Sequence, residues 1–156
     1  MSGDFSRAIV FTLREEGGNV DDKDDPGGRT SRGVTQTNWD AFCVAMKWPQ
    51  SDVWLAPQAH IILLYEMWYW PKVGGDALGW PLDLAAFDTG VLHGTARARA
   101  WVAAAKRDAA GLIALREASY EGIVARRPTS RKYLADWLGR CARLRTACGV
   151  PPRSGV

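Results

Sequence analysis

Glu16-Gly-Gly-Asn-Val-Asp-Asp-Lys-Asp-Asp-Pro-Gly-Gly-Arg-Thr-Ser-Arg-Gly-Val-Thr35 is the stretch that decides how this chain of 156 residues folds. Glycine, proline, asparagine and aspartate crowd it, at a density that an α-helix does not tolerate. It predicts a tight loop or a small β-hairpin over residues 19–34. Upstream, Phe5, Ala8, Ile9 and Leu13 recur at helical spacing, so residues 4–16 are expected to form an amphipathic helix. Gly17 and Gly18 would supply its stop. Glu16 follows Phe5 by about three helical turns and falls on the same apolar stripe, whereas Glu15 is turned about 100° away, toward solvent. A carboxylate on a buried stripe is disfavoured as an anion, which suits it to donating a proton. The plainer alternative is a side chain that frays outward at the helix end.

Downstream of the stretch the pattern is helical nearly throughout. Thr37-Asn-Trp-Asp40 has the form of a capping box, and Phe42, Cys43 and Met46 continue one face until Pro49. Pro57 can open a helix carrying Ile61, Leu64, Tyr65 and Trp68 and ending before Pro71. Another runs from Pro81 to a break near His93-Gly94. Thr95 is expected to cap a helix to about Ala110, with Gly111 as an interruption before Leu112 to Ala125. Ser130 would cap the last helix, which carries Tyr133, Leu134, Trp137, Leu138, Cys141 and Leu144 on one face. Residues 151–156 are expected to form a flexible tail. The fold class expected is mainly α, with one short β-hairpin or loop after the first helix.

Composition narrows the function classes. With 47% hydrophobic and 24% charged residues, the chain suits one soluble core, and no apolar run is long enough to span a bilayer. The N-terminus lacks the pattern of a signal peptide. Cys43, Cys141 and Cys148 have no paired spacing and are expected in the core. His60 and His93 form no ligand cluster. Asp22, Asp24 and Pro26-Gly27 resemble the start of a calcium loop, but Gly33 stands at its twelfth position where a glutamate is needed. No metal and no cofactor are therefore expected. Six of the eight tryptophans fall between Trp39 and Trp80, where core packing is the expected role for most of them. The net charge of +3 conceals an asymmetry. Residues 1–92 carry 13 acidic and 7 basic side chains, whereas residues 93–156 carry 4 acidic and 13 basic. A basic half suggests attraction to a polyanion, and an arginine-rich solvated helix face is the alternative. No nucleic-acid motif is present, and the acidic half opposes such a partner.

The opening stretch also carries a resemblance. Glu16-Gly-Gly-x-Val-x-Asp-x-x-Asp25-Pro-Gly-Gly-x-Thr30-x-x-Gly-Val-Thr35 resembles the signature of the glycoside hydrolase family 108 muramidases, lysozyme-like endolysins of phages and prophages. Tyr69-Trp70 with Leu84-Ala-Ala-Phe-Asp88-Thr-Gly-Val91 is similar to the second block of that family. Arg116-x-x-x-Tyr120, Arg126-x-Pro128, Tyr133-Leu134, Trp137 and Arg140 resemble its C-terminal predicted peptidoglycan-binding region. Two positions depart from the pattern: Asn19 replaces an aromatic residue, and Leu92 replaces an asparagine.

The resemblance implies a lysozyme-like helical domain that hydrolyses the β-1,4 bond between N-acetylmuramic acid and N-acetylglucosamine in peptidoglycan. Glu16 would be the general acid, Asp25 the second carboxylate and Thr30 a residue that positions water. Asp88, Tyr69, Trp70, His93 and Arg126 would bind substrate, with pairing to an arginine as the structural alternative for Asp88. It implies a catalytic region over residues 1–94 and a helical peptidoglycan-binding region over residues 95–150, packed as one unit. The expected partners are peptidoglycan and a holin for release. A monomer is expected, synthesised in the cytoplasm and acting on the wall in the periplasm. A lytic transglycosylase, or a non-catalytic wall-binding or phage-tail-associated module, would share many of these features. Sequence physics alone does not separate Asp25 from Asp24.

Overall fold

The computed structural model describes residues 3–21 and 28–155. Helix α1 spans Phe5–Glu15, capped by Asp4, whose carboxylate accepts from the Arg7 N–H. It buries Ala8, Ile9 and Thr12 on one stripe. The stop differs from the expected one. Neither Gly17 nor Gly18 has positive φ, and the chain instead turns extended at Glu16 (φ −73°, ψ 127°). The helix ends because the next segment is drawn into a sheet. Strands β1 (Asn19–Asp21), β2 (Arg29–Ser31) and β3 (Val34–Thr35) form a three-stranded antiparallel sheet in sequence order. Val20 faces Thr30 across the first pair, and Thr30 faces Thr35 across the second.

Helix α2 (Gln36–Met46) is capped by Thr35, two residues before the expected box, because β3 delivers the Thr35 hydroxyl to the Asn38 N–H at 3.2 Å. Helix α3 (Gln58–Leu64) runs into a π-turn at Tyr65–Tyr69 and then α4 (Trp70–Val73), so helical structure continues through Pro71. The wider turn accommodates a residue with no N–H to give. Helix α5 (Leu82–His93) is buried along nearly its whole length.

Helix α6 covers Thr95–Ala104 and α7 covers Ala109–Arg126, with Gly111 inside α7. The break falls instead at Lys106 and Arg107, both at positive φ, after which Asp108 caps α7 through the Gly111 N–H at 2.7 Å. Helix α8 (Arg131–Cys148) closes the molecule, with Ser130 before it making no side-chain cap. The tail is fastened: the Pro151 carbonyl accepts from Arg145 at 3.0 Å, and Arg153 pairs with Glu121.

One apolar core joins these elements. Phe87 of α5 meets Phe5, Tyr65 and Trp70 edge-to-face, at centroid distances of 5.6–5.8 Å. The three cysteines are free and buried, as expected. Helix α5 is thus the centre of the fold, in contact with α1, the π-turn, α6, α7 and α8.

Candidate active site

Thr12 of α1 and Glu16, which caps the C-terminal end of that helix, reach the same ion network. The Thr12 hydroxyl donates to Asp88 of α5 at 3.0 Å. Arg140 Nη2 of α8 lies 2.8 Å from Glu16 Oε1 as an ion pair without hydrogen-bond geometry, and the Glu16 side chain is 12% exposed. On the other oxygen the chain itself presses in. A Cβ at Gly33 would lie 2.8 Å from Glu16 Oε2 and 2.5 Å from the Tyr65 hydroxyl, and Gly33 has φ +80°. Only glycine fits there. Tyr65 donates to the Arg32 carbonyl at 2.8 Å, which holds that turn against the carboxylate. Burial, and then the charge of Glu16, pushes the Tyr65 phenol far above its ordinary range and keeps it a donor. Tyr69 is raised by the same two causes, with Asn38 opposing them through a hydrogen bond to its hydroxyl.

Beneath Glu16 lies a buried ion network. Asp88 and Arg116 of α7 are both fully buried and joined at 2.7 Å. Arg140 adds two bonds to Asp88, Nε to Oδ2 at 3.2 Å and Nη2 to Oδ1 at 2.7 Å. Burial alone would raise the Asp88 carboxyl, but Arg116 and Arg140 outweigh it and hold it below the usual range. Burial also works against the Arg140 charge, yet Asp88 and then Glu16 keep that guanidinium firmly protonated. Arg140 Nη2 therefore bridges a buried carboxylate and the one at the helix end.

Two depressions open nearby. One is lined by Asn38, Trp68, Tyr69, Lys72, Gly94 and Thr95. The other, of about 470 Å³, includes Glu15, Leu92, His93, Tyr120, Trp137 and Arg140. Both are open rather than enclosed, and Arg140 connects the second to the Glu16 carboxylate.

The structure brings some expected residues together and separates others. Glu16 pairs with Arg140, which lines the second depression along with His93, and Tyr69 lines the first. His93 packs on Tyr120 and Trp101 with Nε2 3.1 Å from the Tyr120 hydroxyl, and burial with nearby Arg116 and Arg97 lowers its pKa to about 4. Thr30 sits in the hairpin, its hydroxyl donating to the Val20 carbonyl at 3.3 Å and its carbonyl accepting from Trp54 Nε1 at 3.1 Å. Asp25 lies outside the described residues.

Asp88 is fully buried, paired with arginines as the structural alternative has it. Trp70 is in the core, 4% exposed, with Nε1 donating to Asp76 at 2.8 Å. Arg126 is exposed at the far end of α7, away from Glu16. Glu15 departs from expectation: its side chain is 7% exposed, gripped bidentately by Arg143 at 2.8 and 2.7 Å. The cause is α8, which lays two arginines across the end of α1. Sequence reasoning missed Arg140, Tyr65 and Gly33 as neighbours of Glu16. Arg140 and Arg143 differ by about one helical turn, as an arginine-lined face would, but no spacing connects them to residues 15 and 16.

Residues 9–94 match the family model described as Glycosyl hydrolase 108, more than half of the chain. The protein belongs to glycosyl hydrolase family 108. It is accordingly a glycoside hydrolase, a lysozyme-like enzyme of mainly helical fold that acts on peptidoglycan. The solved structure of Brucella abortus SagA is similar at 25% sequence identity and a TM-score of 0.68, covering 97% of this chain and 98% of that chain. No curated protein matches. The family match ends at Gly94, just after α5, so Arg140 comes from outside it.

Proposed function

We propose that this family 108 enzyme is an N-acetylmuramidase that cleaves the β-1,4 bond between N-acetylmuramic acid and N-acetylglucosamine, with Glu16 as its general acid. The observation that carries this reading is the placement of Glu16. A mostly covered carboxylate stands where α1 gives way to the hairpin, with Gly33 close on one oxygen and Arg140 paired at 2.8 Å on the other.

In this mechanism Glu16 passes its proton to the glycosidic oxygen as the bond to the sugar carbon breaks. Asp25 steadies the oxocarbenium-like transition state or orients the water that attacks the carbon, and Thr30 assists in placing that water. In the sequence Asp25 falls between Asp21 and Arg29, which pair across the hairpin. Arg29 ties that hairpin to the turn at Val53–Leu55 by pairing with Asp52 and lying 3.9 Å over Trp54. The enzyme would act on the wall in the periplasm after release from the cytoplasm through a holin-like pore.

Digestion of purified peptidoglycan, with mass analysis of the products, tests the proposal. Wild type is expected to release reducing muramic-acid ends, and Glu16→Gln to lose about 10²–10⁴-fold in rate, the contribution of one positioned acid. Anhydro-muramic ends would make the enzyme a transglycosylase. Wild-type rates from Glu16→Gln would remove Glu16 from the chemistry.

A further inference from the structure

We infer that Arg140 of α8 is a positioning residue for the reaction, setting the orientation of Glu16 from a segment that the family match does not reach. The inference rests on reading Glu16 as the general acid. Arg140 Nη2 is 2.8 Å from Glu16 Oε1 and 2.7 Å from Asp88 Oδ1, while its Nε adds a second bond to Asp88 at 3.2 Å. The forked contact to a fully buried aspartate fixes the guanidinium plane, which a monodentate cation could not do. Asp88 is itself immobilised by Arg116 and by the Thr12 hydroxyl. Thr12 lies one turn before Glu16, so the network closes on the helix that bears the acid. The carboxylate thus lies between the Gly33 turn and the Arg140 guanidinium.

Two substitutions separate charge from geometry. Arg140→Gln keeps an amide donor for Asp88 and removes the cation. Arg140→Lys keeps the cation and loses the fork. We would measure kcat and KM for peptidoglycan fragments, with folding checked by circular dichroism. In both variants kcat should fall about tenfold while KM changes little, since orientation and not substrate binding is lost. Should Arg140→Gln fail to fold, the kcat loss in Arg140→Lys decides the matter. Unchanged kcat in every folded variant, or a loss confined to KM, would overturn the inference. Such a result leaves Glu16 as the acid, whereas full activity in Glu16→Gln would defeat the underlying reading instead.

Discussion

Asp88 and Glu117 are both buried carboxylates on helices, and each is approached by two arginines, yet they are used differently. Glu117 of α7 receives Arg145 bidentately at 2.9 Å on both oxygens, with Arg153 more distant at 3.8 Å. Arg145 spends its remaining reach on the Pro151 carbonyl, and Arg153 on Glu121. That network closes on itself and fastens the tail to α7 and α8. The Asp88 network is open at one end. Its second arginine is shared with Glu16 and lines the second depression, so it leads to the surface. Two similar constellations thus act as a fastening in one place and as a lever in the other. The difference lies in where the last guanidinium nitrogen points.

The strongest way to break the comparison is to delete each carboxylate. Asp88→Ala leaves Arg116 buried without its partner and should cost about 3–5 kcal/mol in urea denaturation. Peptidoglycan cleavage by the remaining folded protein should also fall, because Arg140 loses its brace. Glu117→Ala should destabilise by a comparable or smaller amount, since Arg145 keeps the Pro151 carbonyl and some solvent. The cleavage rate per folded molecule is then expected to stay within about twofold of wild type, whereas a large rate loss would show that the two networks are coupled.

A gentler probe uses pH. His93 packs beside the first network, and its pKa falls to about 4 from an ordinary 6.5. A group with a depressed folded pKa contributes stability that is present above its unfolded pKa. Protonation therefore favours the unfolded chain as pH falls from about 6.5 toward 4. The loss should reach about 2 kcal/mol after allowance for screening at a partly exposed ring. A thermal-melt series should show that slope in wild type and not in His93→Phe, and an equal slope in both would assign it to other groups. The smallest effect is expected at the outer edge of the second network. Arg153→Ala should cost no more than about 1 kcal/mol, because Arg153 is 32% and Glu121 45% exposed. A larger loss would mean that the tail contributes to the core.

The hairpin after the first helix was legible because turn residues are local instructions. The helix boundaries were legible to within a turn wherever a cap was local, as for α1 and α5. Errors occurred where tertiary contacts chose the boundary. Thr35 caps α2 because β3 ends there, and the chain leaves α1 at Glu16 because a strand begins, not because glycines follow. Pro71 stays helical because a π-turn precedes it. The basic second half suggested a polyanion-binding face, but Arg116, Arg140, Arg143, Arg145 and Arg153 are all committed to carboxylates within the fold.

By itself, the sequence determined the helical class, the hairpin, the family and the candidacy of Glu16, because each depends on local propensity or on a contiguous motif. Tertiary structure alone decided what surrounds that carboxylate. Arg140 lies more than a hundred residues downstream, and it meets Glu16 only because α5 packs α1 and α8 around the same buried aspartate. Periodicity reports which face of a helix is buried. It carries no information on which distant charge will be waiting there.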